Sequence, residues 1–72
     1  MAQLTVAGYD ALEGAIRDGV RITVRRRGTD YVLIPLQLHL RGRREAIEAR
    51  HPGTGQPLTI WLDEADSIEV VR

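Results

Sequence analysis

From Val20 to Val71 the chain carries about five short apolar segments separated by glycine-rich turns, and this pattern leaves few ways to bury a core. Within most of these segments apolar residues alternate with polar ones, as in strands with one buried face. A single amphipathic segment, Tyr9–Gly19, precedes them. In a chain of 72 residues, a helix followed by five strands predicts one small, strongly bent β-barrel.

The N-terminal segment has the features of a short helix. Asp10 is a good N-cap, and Glu13 completes a capping box three residues later. Gly19 suits the left-handed position that ends a helix. One apolar stripe runs along the segment: Tyr9, Leu12, Ala15 and Ile16. We therefore expect residues 1–8, with Leu4 and Val6, to form an arm or edge strand, and residues 9–72 to form the single domain.

The strand segments predict one shared core. Their apolar residues fall mostly on one parity, so that they point to the same side of the sheet. Pro35 cannot donate to a strand ladder and marks a bend or an edge. The predicted core residues are Val20, Ile22, Val24, Val32, Ile34, Leu36, Leu38, Leu40, Ile47, Leu58, Ile60, Leu62, Ile68 and Val70.

Charge is distributed unevenly although the formal net charge is zero. Residues 17–50 contain nine arginines and four acidic residues, whereas both ends of the chain are acidic. A basic middle region predicts a surface that faces an anion. All basic residues are arginine. Guanidinium groups bind phosphate in a bidentate manner, but a GC-rich genome would produce the same preference for arginine.

Two arginine clusters lie in predicted turns, and six residues are candidate phosphate or nucleic-acid ligands: Arg25, Arg26, Arg27, Arg41, Arg43 and Arg44. The alternative is that they are solvated turn charges paired with Asp30, Glu45 or Glu48. If the first two strands form a hairpin, the clusters lie at its opposite ends. Few aromatic residues accompany them, which weakens the case for single-stranded nucleic acid.

Trp61 has the opposite parity from Leu58, Ile60 and Leu62, which predicts that it points out of the barrel. An outward tryptophan is a candidate anchor for a protein interface, most simply in a homodimer. The alternative is that the N-terminal helix covers it. For such an interface, the strand after Pro35 and the segment around Leu4 are candidate free edges.

The order of these segments resembles the WYL domain, a small Sm-like barrel found in bacterial regulators. The resemblance covers about residues 11–71 and implies a mainly β fold, a small five-stranded Sm-like barrel with one N-terminal α-helix. The family's Trp-Tyr-Leu triplet falls on Glu45-Ala46-Ile47, so both aromatic residues are absent. The matching pieces are Pro35-Leu36 with Leu38, Arg41-Gly42-Arg43, Pro52 with Gly55, Thr59–Asp63 and Ser67–Val70.

The resemblance implies a regulatory module that binds a nucleotide or nucleic acid and takes part in transcription regulation. The basic residues of the family's fourth strand fall on Leu58, Trp61 and Glu64, so its ligand site is not carried over. We expect a non-catalytic protein without cofactor or metal, since no catalytic or metal-ligating arrangement is present in the sequence. The alternative function is protein–protein interaction or homo-oligomerisation through a strand edge and Trp61. Without an apolar span or a leader, we expect a cytoplasmic protein with no membrane partner.

Overall fold

The computed structural model describes the backbone of residues 6–71 and the side chains of residues 8–71. One helix is followed by five strands in a single sheet of order β4-β3-β2-β1-β5, in which all neighbours are antiparallel. This confirms the predicted mainly β class. The elements are α1 (Val6–Asp18), β1 (Ile22–Arg26), β2 (Thr29–Arg41), β3 (Arg44–Arg50), β4 (Pro57–Trp61), a 3₁₀ turn (Leu62–Glu64) and β5 (Ser67–Val70).

The predicted small barrel is corrected in one respect, because the sheet of the described residues is open. Strands β4 and β5 lie at the two ends of the described sheet, and no ladder joins them. The 3₁₀ turn and the two residues after it connect these ends. Leu62 and Ala65 are buried there, and the Asp66 N–H donates to the Arg25 carbonyl at 2.7 Å. The two ends of the sheet are therefore linked by a short polar connection with two buried apolar side chains, and not by a strand ladder.

Helix α1 begins at Val6, about one turn before the predicted start at Tyr9. Asp10 is consequently exposed inside the helix, and its assignment as N-cap is wrong. The predicted end is confirmed, because Gly19 has φ +69° and the Val20 N–H donates to the Ala15 carbonyl at 2.9 Å. Of the predicted arm, residues 1–5 lie outside the described residues. Among those described, no helix could cross a membrane.

The two arginine-containing turns set the strand register. Arg27 and Gly28 link β1 to β2, and both have positive φ, 53° and 76°. Positive φ at both residues is typical of the type I′ turn, which joins the two strands of a hairpin through a two-residue loop. Gly42 and Arg43 link β2 to β3, with φ +63° at the glycine. Each turn therefore holds one exposed arginine at the tip of a tight hairpin.

The core differs from the predicted one in the first half of β2. Leu33 is fully buried, whereas Val32 and Leu36 are 47% and 50% exposed. The prediction that Val32, Ile34, Leu36 and Leu40 fill the core is therefore wrong. Ile34 is half-buried on the opposite side from Leu33, and Leu40 is 67% exposed near the hairpin tip. The other predicted core residues are buried or pack against the buried cluster, and Leu12, Ala15, Ala49 and Ala65 join them.

A β-bulge in β2 explains the difference. The pairing of β2 with β3 shifts between Pro35 and Gln37, so Leu36 is the extra residue. The bulge reverses the alternation: Leu33 and Pro35 point inward before it, and Leu38 does so after it. A bulge bends the strand that carries it, and at this point β2 passes from its pairing with β1 to its pairing with β3. The bend lies beside Pro35, which the sequence predicts as a bend or an edge.

Candidate nucleic-acid interface

The sheet has an inner face, which packs against α1, and an outer face on the other side. The Tyr9 hydroxyl donates to Glu45 on the inner face of β3, and this bond raises the pKa of Tyr9. Directly paired residues of antiparallel strands point to the same face, so the register assigns each side chain. The arginines on the outer face are Arg21, Arg25, Arg41, Arg44 and Arg50.

The first arginine cluster lies at the β1–β2 hairpin and is partly neutralised. The Arg25 Nε donates to an Asp30 carboxylate oxygen at 2.9 Å, and this hydrogen bond lowers the pKa of Asp30. Arg26 points to the inner face, with its guanidinium carbon 5.1 Å from the centre of the Tyr31 ring. Arg27 is exposed and has no partner among residues 8–71. Arg27 is therefore the cluster's free cation.

The second cluster lies at the β2–β3 hairpin and shows the same division. Arg44 donates to both carboxylate oxygens of Asp63 at 2.8 Å and to Glu64 at 3.3 Å. Arg41 lies 3.7 Å from Glu48, a longer and weaker contact. Arg43 is exposed at the tip, and the described side chains include no partner for it. Here too, one arginine is held in the fold and another is free to meet a ligand.

Trp61 lies on the outer face, opposite Ala46, so it is not beneath α1. The guanidinium carbon of Arg44 sits 4.2 Å from the centre of a Trp61 ring, in cation–π contact. Trp61 is half-buried as a result. The sequence prediction that it points outward is met, but Arg44 covers part of the surface that an interface would use.

Glu48 joins the outer-face side chains of three strands. It accepts a hydrogen bond from Thr59 at 3.0 Å and lies 3.1 Å from a ring nitrogen of His39. On β1 and β5, the outer face has a polar cleft of about 250 Å³ lined by Thr23, Arg25, Asp30, Ser67 and Glu69. Within residues 6–71, no three His, Cys, Asp or Glu residues form a possible metal site.

The two arginine clusters are not brought together. One hairpin lies before Thr29 and the other after Arg41, at opposite ends of β2, as the sequence predicted. A single ligand in contact with both tips must therefore reach along β2, and the role of the six arginines stays a prediction.

Two further outer-face arginines, Arg21 and Arg50, were missed by the sequence analysis. Both are exposed and neither has a partner among the described side chains. Arg50 pairs with Ile34. Arg21 directly precedes Ile22, whose partner Leu33 directly precedes Ile34. The sequence prediction depends on runs of arginine, and neither residue belongs to such a run. Only the pairing of three strands places them beside each other.

The comparisons with known proteins support the fold. No protein-family model matches the chain, and no curated protein does so. Among solved structures, the chain is similar to proteasome accessory factor B/C (PafBC) of Arthrobacter aurescens, at a TM-score of 0.73 and 22% sequence identity. The match covers 96% of this chain but 12% of that one. At this identity the likeness shows that the chain shares its fold with a part of PafBC.

Proposed function

We propose that this chain is a non-catalytic, WYL-like regulatory module that contacts nucleic acid through its arginine-rich turns. One observation carries the proposal: each hairpin presents an exposed arginine without an acidic partner among the described residues, Arg27 or Arg43, beside one that is held in an ion pair. Free guanidinium groups at protruding tips are well placed to bind phosphate. The likeness to PafBC and the resemblance to the WYL domain add support at the level of fold.

The separation of the two tips favours a polymer over a single nucleotide. Phosphates recur along a nucleic-acid strand, so one strand can reach both ends of a bent β2, whereas a mononucleotide can occupy one end at a time. One arginine of each cluster is fixed by an ion pair, Arg25 by Asp30 and Arg44 by Asp63 with Glu64. Their ion pairs orient the hairpins but leave little charge for a ligand, so we assign binding to Arg27 and Arg43.

Fluorescence anisotropy with labelled single-stranded and duplex DNA tests this function. We expect binding at low salt that weakens steeply as salt rises, because phosphate contacts release counterions. Arg27→Gln with Arg43→Gln should weaken binding about tenfold or more. Arg17→Gln is the control for single charge loss, since Arg17 lies in the last turn of α1 beside Asp18. No binding of either DNA, or of the same sequences as RNA, at low salt would refute the function.

A second candidate function, homo-oligomerisation, is favoured by one feature of β2. Residues 29–33 of β2 pair with β1, whereas residues from Ile34 onward pair with β3, so the later half has a free edge among the described strands. Leu36 and Leu40 are exposed beside that edge. Edge pairing between two copies would cover both. Light scattering at about 100 µM should then give a dimer mass.

A further inference from the structure

Arg21, Ile34 and Arg50 form one row across the outer face. Arg50 is the direct partner of Ile34 on β3. The β1–β2 ladder ends at the pair of Ile22 and Leu33, and one further step in the same register would place Arg21 opposite Ile34. The Val71 N–H donates to the Arg21 carbonyl at 2.9 Å, which continues the β1–β5 pairing to this row. With strands about 4.8 Å apart, the two arginine backbones are about 10 Å apart.

These two arginines differ from the other three on the outer face. Arg25, Arg41 and Arg44 each have a carboxylate within salt-bridge distance. Neither Arg21 nor Arg50 has one among residues 8–71. Two like charges on strands with backbones about 10 Å apart repel each other at moderate ionic strength, because the Debye length is of similar size. An anion between them would relieve this repulsion and supply the missing partner to both.

The surroundings of the row are apolar. Ile34, between the two arginines, is half-buried. Three apolar residues close to it in sequence or in strand pairing are each about half exposed: Val32, Leu36 and Val71. Apolar surroundings exclude water and strengthen hydrogen bonds between charged groups. They also offer a surface to the sugar or base of a ligand. Glu69 lies one row away, opposite Thr23, and disfavours an anion at that side.

We propose that Arg21 and Arg50 form a phosphate-binding site over Ile34, which takes one phosphate group of a nucleotide or of a nucleic-acid strand. The proposal rests on the proposed function only for the choice of a phosphorylated ligand. Arginine side chains are long enough for both guanidinium groups to reach one anion between them, and their planar forks match its oxygens. The site lies between the two hairpin tips along β2, so a strand that contacts Arg27 and Arg43 passes over it.

Two measurements test the site, on the full chain. Anisotropy with a thymidine oligomer of about 15 nucleotides reports strand binding. The variant Arg21→Gln with Arg50→Gln should weaken binding about tenfold or more, because two charge-assisted contacts are lost. The log–log salt dependence should become shallower by about 0.7, the value for one phosphate on a single strand. Arg17→Gln is compared with each single variant, because it removes the same charge from α1.

Melting curves with thymidine monophosphate and with thymidine distinguish the two ligand sources. A mononucleotide site predicts stabilisation by the monophosphate and none by the nucleoside, and the double variant should lose that stabilisation. Strand binding without an effect of the monophosphate assigns the site to nucleic acid. Stabilisation by the monophosphate and binding of the strand each support the site if the double variant abolishes the effect.

Two outcomes overturn the proposal and separate it from the function. If the wild-type protein binds the oligomer and the double variant binds within twofold of the Arg17→Gln control, the Arg21–Arg50 site is wrong while the function stands. If neither the oligomer nor the monophosphate binds, the site is wrong, and the nucleic-acid function fails as well if duplex DNA and RNA do not bind. Stabilisation by the monophosphate alone, lost in the double variant, retains the site and refutes the function.

Discussion

Arg44 shows how one residue can organise a surface through several contacts at once. Its guanidinium group donates to Asp63 and Glu64 while its plane covers Trp61. The bond to Arg44 is the main cause of the lowered pKa of Asp63. A carboxyl whose pKa is lowered by folding stabilises the fold above its unfolded pKa, and that contribution is lost as pH falls through the lower folded value.

The exchange Asp63→Asn tests this arrangement. We expect the variant to show a weaker loss of stability than the wild-type protein as pH falls below roughly 4. Because Arg44 is then held less firmly, acrylamide should quench the fluorescence of Trp61 more strongly. Asp10→Asn, at an exposed position of α1, is the control. Identical acid unfolding and identical quenching in the wild-type and Asp63→Asn proteins would show that Arg44 is not fixed by Asp63.

At the scale of elements, β2 separates what the sequence predicts from what it does not. Turns, strand number and helix end are marked by glycines with special backbone angles, and these predictions are confirmed at Gly19, Gly28 and Gly42. From Val32 to Leu36 every residue is apolar or proline, so both parities are compatible with a core. The bulge at Leu36 selects the odd parity before it and the even parity after it. Nothing local to the sequence states where the extra residue falls.

A pair of exchanges tests that register. Leu33→Ala should destabilise the fold by about 2–5 kcal/mol, because a fully buried side chain leaves a cavity. Val32→Ala, one residue away on the outer face, should cost much less, since its side chain is half exposed. Denaturant titrations give both free energies of unfolding. If Val32→Ala costs as much as Leu33→Ala, the assignment of faces in the first half of β2 is wrong.

Local and long-range signals also differ for the candidate site residues, and only the local ones could be predicted from the sequence. Runs of arginine in turns are visible in the sequence, and Arg27 and Arg43 stand exposed at the tips as predicted. The pairing of Arg25 with Asp30 lies across a short hairpin and was among the alternatives considered. Arg21 and Arg50 are 29 positions apart, and their proximity depends on two strand registers. Long-range pairing of this kind follows from the folded sheet and not from a local pattern.

At the scale of the whole molecule, the formal net charge is zero, but the charges are arranged so that some arginines remain available to an anion. Acidic residues neutralise Arg25 and Arg44 in place, while the arginines without described partners lie at both hairpin tips and midway between them. The arginines that remain available therefore lie at the two hairpin tips and near the middle of β2, whereas α1 covers the inner face of the sheet. This asymmetry predicts that a nucleic-acid strand contacts the outer face and leaves the helix untouched.

The most direct test is a titration of the ¹⁵N-labelled protein with a thymidine oligomer at low salt, followed by amide chemical shifts. We predict that the shifts change at the tips and middle of the outer face, around Arg27, Arg43 and the Arg21–Ile34–Arg50 row. Residues on the exposed side of α1, such as Glu13 and Arg17, should not change. Absence of any change, or changes confined to α1, would contradict the account.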